Sequence, residues 1–317
     1  MRVVALGGGH GLSASLQALR QVTPHVTAVV TVADDGGSSG RLRDELGILP
    51  PGDLRMALAA LAGQDDWGRT WEALLQHRFD GDGPLAGHAV GNLLLAGLTG
   101  TTGDPVAALD LAGRLVGAVG RVLPMSRTPL VVCADVQGRA EPVVGQVAVA
   151  TATGRVTAVS LRPGDPEACA ESVAAVRAAD WVVLGPGSWF TSVLPHLLVP
   201  GLREALVQTP ARRLVCLNLA EQAGETSGMS PQDHLEALLS HAPDLRLDVV
   251  LADRHAVGET RGLMSAVAAA GARLELAPLA RGDGTPRHHP DLLAAAYTRV
   301  MRSSSTPSTP LEAPAWP

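Results

Sequence analysis

Four of the five residues from Gly7 to Gly11 are glycine, and they separate an apolar run from a helical pattern in VVALGGGHGLSASLQALRQ, residues 3–21. A loop of this kind can bring backbone N–H groups against a phosphate, and the dipole of the following helix favours the anion. Gly8, Gly9, His10 and Gly11 are therefore candidate ligand-binding residues, with hydroxyls from Ser13 and Ser15 close by. A tight strand-to-helix turn without a ligand is the alternative. Position 12 is Leu, so the spacing is not G-x-G-x-x-G, which counts against a nicotinamide-dependent oxidoreductase.

The densest segment is VTVADDGGSSGRLRDELGILPPGDLR, 30–55. Asp34 and Asp35 are expected to end the second strand, where an acidic residue commonly takes a ribose hydroxyl. As neighbours on a strand they would point to opposite faces. The stretch from Gly36 to Arg41 can form a second anion nest from Ser38, Ser39 and Arg41, or Arg43. In GHAVGNLLLAGL, 87–98, His88 and Asn92 stand at i and i+4 and share one helix face, although a core or capping histidine explains His88 equally well.

VLGPGSWFTSVLPHLL, 183–198, repeats the opening logic: a strand ends in Gly185, Pro186, Gly187 and Ser188, a second candidate phosphate cradle. After another strand, Asn218, Gln222, Glu225 and Thr226 crowd the carboxyl end of the sheet, where open α/β folds bind ligands. Near the end, Arg287 could close on a phosphate, beside His288 and His289.

These loops need a parallel sheet to hold them. The opening reads strand 3–6, helix about 12–20, strand 26–32, a βαβ unit. A helical stretch from Gly52 to Gly117 follows, with starts expected at Asp53, Asp66, Gly87 and Asp104, the last with Pro105 at N1. A β-rich insertion is expected over about 121–161. Four apolar runs (WVVLGPGS, RRLVCLNLA, LDVVLAD and ARLELAPL) then alternate with helices. Continuous apolar strands separated by helices imply a parallel sheet buried on both faces. The expected fold class is α/β: a Rossmann-like three-layer sandwich with a mostly parallel sheet and the β-rich insertion, in one domain over 1–302. The Ser/Thr/Pro-rich tail 303–317 is expected to be disordered.

Composition narrows the function classes. The 317 residues carry a net charge of −6 with no basic run, which argues against nucleic acid. No apolar run is long enough to span a bilayer, and Met1-Arg2 leads straight into a strand, so a cytoplasmic chain without membrane insertion is expected. Cys133, Cys169 and Cys216 share no metal spacing and read as buried thiols. All 25 basic residues are arginine, which excludes a P-loop or Schiff-base lysine. No G-x-S-x-G, H-E-x-x-H or cysteine-based catalytic signature is present.

Taken in order, GGGHGLSASLQALR, VTVADDGGSSGRLRDELGILPPGDLR, GHAVGNLLLAGLT, GRVLPMS, GPGSWFTSVLPHLLVPG, NLAEQAGETSG and DHLEAL resemble the YvcK/CofD-like family, most closely its YvcK branch, the gluconeogenesis factors. The resemblance spans about 1–300. It implies a non-catalytic, cytoplasmic regulator that binds a UDP-sugar such as UDP-N-acetylglucosamine or UDP-glucose. It implies a role in cell shape and envelope precursor supply under gluconeogenic growth, with a protein partner in precursor synthesis. No cofactor is required on that reading, and a homo-oligomer is left open. The alternative implied by the CofD branch is a 2-phospho-L-lactate transferase with a nucleotide donor and Mg²⁺, with Asp35 as its metal residue and no other metal ligand expected. The chain departs from the YvcK pattern at His10, Met56, Trp189-Phe190, Ala223 and His289.

Overall fold

In chain order the strands are β1 (Val3–Gly7), β2 (Val26–Val30), β3 (Arg121–Pro124), β4 (Val131–Val136), β5 (Val143–Val144), β6 (Val156–Arg162), β7 (Trp181–Leu184), β8 (Arg212–Cys216), β9 (Val249–Asp253) and β10 (Arg273–Ala277). They come from a computed structural model that describes residues 1–222, 224–258 and 260–303. Ala223 and positions 304–317 of the tail lie outside the described residues.

Seven strands form one sheet in the order β10-β9-β8-β7-β1-β2-β3. Every neighbouring pair is parallel. β1, β7 and β9 are buried along their whole length, as a sheet covered on both faces requires. The chain moves outward from β1 through β2 to β3, then returns to β7 on the other side of β1. With right-handed crossovers the connecting helices fall on opposite faces. The Gly9–Val22 helix packs against the Pro51–Leu61 helix and the Pro290–Ser303 helix. The Ala170–Arg177 and Pro200–Gln208 helices pair with each other on the return path. The reversal at β1/β7 is a topological switch point, where loops diverge and leave a crevice.

Several expected boundaries move. The first helix starts at Gly9, inside the glycine run, because Leu12 N–H already reaches the Gly8 carbonyl at 3.3 Å. The 36–41 stretch read as a loop is the start of a helix, Gly37–Leu46. Gly and Ser favour non-helical backbone, but Arg41 to Leu46 are better helix formers. The Ser39 hydroxyl also accepts the Gly52 N–H at 2.7 Å and ties this helix to the next. Asp66 is not a cap: Asp65 holds that place, accepting from Gly68 N–H at 2.8 Å. The helix expected from Gly87 begins at Val90. Asp104 caps its helix, with Pro105 at N1.

The insertion is smaller than 121–161. Residues 121–124 are β3, an edge strand of the main sheet. The inserted unit is the antiparallel sheet β5-β4-β6, with the short Gln146–Ala150 helix between β5 and β6.

At the far edge, Asp253 ends β9 and gathers four backbone donors. Its Oδ1 accepts from His255 (2.8 Å) and Ala256 (3.1 Å), and its Oδ2 from Leu279 (2.6 Å) and Ala280 (3.1 Å). Burial alone would push this carboxyl up, but the four donors hold it below the usual value. Residues 280–288 leave this root as a hairpin closed by an Ala280–His288 bridge. Asp253→Ala orphans all four N–H groups and should lower the free energy of unfolding by about 3 kcal/mol in urea titration. A loss below about 1 kcal/mol would show that water or neighbouring backbone satisfies the hairpin root.

Candidate functional site

The loops after β1 and β7 press directly on each other. A Cβ on Gly11 would stand 2.3 Å from the Pro186 carbonyl oxygen and 2.4 Å from Gly187 Cα. Gly8 sits equally close to the interior: its Cβ would meet Asp53 Oδ2 at 2.3 Å and Thr31 Cγ2 at 2.6 Å. These glycines are required by protein contacts, whatever else approaches them. Gly8 offers the Gly9–Val22 helix no side-chain cap; Asp53 engages the Gly9 backbone, which leaves the His10 and Gly11 N–H groups for an anion.

A cavity of about 480 Å³ opens over this junction. Gly8, Gly9, His10, Gly11 and Ser13 line one side; Gly187, Ser188, Asn218 and Gln222 line another. Arg281, Arg287 and His288 reach in from the hairpin rooted on Asp253. Gln146 enters from the insertion. The site therefore assembles from four strand ends and one inserted helix.

Hydrogen bonds fix the second loop. Asn218 Oδ1 accepts from Gly187 N–H at 2.9 Å, and Asn218 Nδ2 donates to the Gly187 carbonyl at 2.8 Å. Behind it, buried Glu225 accepts from Phe190 N–H (2.6 Å) and Thr191 N–H (2.8 Å) through Oε1, and from the Ser188 hydroxyl through Oε2. Glu225 thus caps the turn after β7 from a distant loop. Burial raises its pKa even against these donors. Thr226 is also buried, its hydroxyl accepting Gln222 N–H at 2.7 Å. Gly185, Glu225 and Thr226 do not line the cavity.

The 34–55 segment forms a separate polar layer beside the cavity. Ser38 Oγ meets His88 Nδ1 at 3.0 Å and accepts from Asn92 Nδ2 at 2.9 Å. His88 precedes the Val90–Thr102 helix, so this convergence does not depend on a shared helix face. Asn92 Oδ1 accepts from Arg55 Nε at 3.0 Å. Arg41 donates to the Ala86 carbonyl at 2.7 Å and holds the preceding loop. Ser38, Ser39, Arg41, His88 and Asn92 all lie outside the cavity lining. The strand expected to reach position 32 ends at Val30, so Asp34 and Asp35 follow in a loop. There Asp35 turns away and accepts Val147 N–H of the insertion at 3.0 Å, while Asp34 stays near Asp53.

Gln146 and Arg281 carried no sequence signal, and the surroundings of several other residues carried little. Asp53, expected only as a helix start, is 8% exposed under Gly8, and its Oδ2 has no partner. Burial and the nearby Asp34 raise its pKa to about 7, against the Gly9 backbone and Arg55. Arg55 is pushed down to about 10, mainly by burial and Arg78. His288 is buried 3.9 Å from Cys216 Sγ, and burial lowers it to about 4. Burial, Arg287 and Arg55 lower His10. The adjacent aromatics Trp189 and Phe190 are core residues, 0% and 2% exposed, with Trp189 Nε1 donating to the His234 carbonyl. Ser15 is buried too, paired with Tyr297 OH at 2.9 Å. The three cysteines are free and buried.

Comparison with known proteins returns the same architecture. The profile of the family described as 2-phospho-L-lactate transferase CofD matches residues 3–270. A Mycobacterium tuberculosis protein provisionally named a gluconeogenesis factor is 53% identical over 317 residues, covering 97% of this chain and 92% of its own. A Bacillus subtilis protein named gluconeogenesis factor is 40% identical over 251 residues, 79% of this chain and 78% of its own. A crystal structure of a UPF0052-family protein from Bacillus halodurans superposes with a TM-score of 0.84 at 37% identity, covering 93% of this chain and 97% of that one.

Asp53 has a measurable pH signature. Its folded pKa stands above its unfolded value, so its contribution is fully present below about pH 4 and is lost as pH rises through about 7. Asp53→Asn should gain stability relative to the parent between pH 5 and pH 8, by up to about 3 kcal/mol in denaturant titrations. An unchanged difference across that range would mean that the carboxyl titrates normally.

Proposed function

The chain belongs to the CofD family, and from that premise we propose that it is a nucleotide-sugar-binding regulator whose ligand is a UDP-sugar, UDP-N-acetylglucosamine or UDP-glucose. One arrangement carries the reading: two strand-end glycine loops and a two-arginine hairpin face a single cavity at the switch point of a parallel sheet. Backbone N–H groups of His10 and Gly11, at the open end of the first helix, suit a diphosphate, and Arg281 and Arg287 supply charge from the opposite wall. The volume, about 480 Å³, falls in the range of small-ligand sites.

The regulatory part of the proposal rests on the relatives' names and on the chemistry of the lining. His10 and His288 are both depressed, and His288 is buried with its Nε2 3.9 Å from Cys216 Sγ. On this reading the occupied protein acts on a partner in envelope precursor synthesis, in the cytoplasm, under gluconeogenic growth. Among the described residues no helix is long and apolar enough to cross a membrane.

The transferase alternative keeps one observation, the Asp34–Asp53 pair. Among the described residues no three His, Cys, Asp or Glu side chains gather as metal ligands. Mg²⁺ needs only one or two carboxylates beside phosphate oxygens. Asp34 and Asp53 are the acidic groups beneath the first glycine loop, but neither lines the cavity, and Asp35, the metal residue of this alternative, is turned to Val147 N–H. Against this alternative, Trp189 and Phe190 are buried and cannot offer a flat acceptor a stacking face.

Calorimetry with UDP-N-acetylglucosamine and UDP-glucose tests binding, and chromatography of the nucleotide after incubation with Mg²⁺ tests turnover. The expected result is saturable binding, weakened about tenfold or more in Arg287→Met, with the nucleotide sugar recovered intact. Sustained release of UDP or UMP, abolished in Asp53→Asn, would overturn the regulator reading in favour of the transferase.

A further inference from the structure

The cavity has one wall that no strand supplies. Gln146, the first residue of the Gln146–Ala150 helix, is its only lining residue from the inserted β4–β6 unit. Its Oε1 is shielded from solvent and has no hydrogen-bond partner. A buried amide oxygen left unpaired is costly, so such a group calls for a donor.

The helix bearing Gln146 is held at three points. Asp35 Oδ1 accepts Val147 N–H at 3.0 Å. Val147 Cγ2 lies 2.9 Å from where Gly36 would carry a Cβ. At the other end, the Ala150 carbonyl oxygen lies 2.5 Å from the Cβ position of Gly224. The helix therefore runs from the acidic loop after β2 to the loop after β8, with its first residue, Gln146, at the cavity. Gly145, which turns the chain into it, has φ of 102°, and a Cβ there would strike Asp35 Oδ2 at 2.2 Å.

We propose that Gln146 is a specificity-determining ligand contact, its Oε1 accepting a hydrogen bond from an N–H or O–H of the nucleoside or sugar, and that Asp35 is the positioning residue that sets it there. The proposal rests on the nucleotide-sugar reading of the cavity. A carbonyl oxygen only accepts, and an ionised diphosphate offers no donor, so the partner lies on the neutral part of the ligand. The diphosphate belongs to the glycine loops and the hairpin arginines. Gln146 approaches from the inserted roof instead, where recognition of the rest of the molecule is still unassigned. Asp35 thereby acts on the ligand through the insertion, not by touching it.

The test is calorimetry on the full chain with UDP-N-acetylglucosamine, UDP-glucose, UDP and inorganic pyrophosphate. The variants are Gln146→Met, Asp35→Ala and Asp35→Asn. Gln146→Met should weaken UDP-N-acetylglucosamine about tenfold, with an unchanged melting temperature and unchanged affinity for pyrophosphate, which lacks both the nucleoside and the sugar. An equal loss with UDP assigns the donor to the uridine; a loss confined to the sugar-bearing ligands assigns it to the sugar. Asp35→Ala should weaken the same ligands, and Asp35→Asn, which keeps an acceptor oxygen, should restore them. Equal affinity in Gln146→Met and the parent overturns the contact. A parallel loss for pyrophosphate overturns it as well, because the effect is then general distortion. Undiminished binding in Asp35→Ala overturns the positioning role. If the parent binds no nucleotide sugar, the reading of the cavity fails and this inference fails with it.

Discussion

Everything at the switch point depends on backbone meeting backbone. The β1 and β7 loops approach so closely at Gly11, Pro186 and Gly187 that a single added methyl group would collide with main-chain atoms on the opposite loop. Main chain cannot step aside as a side chain can, so this contact sets the distance between the two glycine turns. The Asn218 amide locks the second turn by donating to and accepting from Gly187. Glu225 holds the following residues from behind. The cavity above has rigid walls on these two sides. Its other walls, the arginine hairpin and the inserted helix, are tied to the sheet's loops through the carboxylates of Asp253 and Asp35.

The second constraint is electrostatic. Asp53 is buried beneath Gly8 with one oxygen unpaired and Asp34 nearby. Burial first, and then the charge of Asp34, disfavours the ionised form of Asp53 and raises its pKa to about 7. Arg55 offsets part of this charge, but Asn92 and Gln76 also engage its guanidinium. The polar layer of Ser38, His88, Asn92 and Arg55 thus supports the floor of the site without reaching its lining.

The fold was legible because apolar runs such as VVALG and WVVLG announce buried parallel strands, and the glycines after them announce turns. The chemistry was legible only in part. Four glycines in five residues signal close approach, but not that the approaching atoms belong to Asp53, Thr31 and Pro186. Asp53 looks like any acidic residue in a first helical turn; its burial depends on a loop more than forty positions away. Ser38, Asn92 and Glu225 have polar side chains suited to ligands, yet tertiary contacts occupy them with other protein groups. Gln146 and Arg281 lie in no recognisable motif, since only the path of an inserted helix and of a hairpin brings them to the crevice.

The strand order carries a consequence for synthesis. β1 is made first but lies at the centre of the sheet, between β2, available some twenty residues later, and β7, which begins at Trp181. A growing chain can pair one edge of β1 early and must leave the other open until more than half of its length has emerged. Long-range parallel pairing of this kind is slow and leaves an apolar edge unprotected meanwhile. The glycine turn after β1 therefore waits for Pro186 and Gly187 before it has anything to close against. Ligand-competent geometry is among the last things this polypeptide acquires, so an incomplete chain of half this length would carry the first glycine motif without its matching wall.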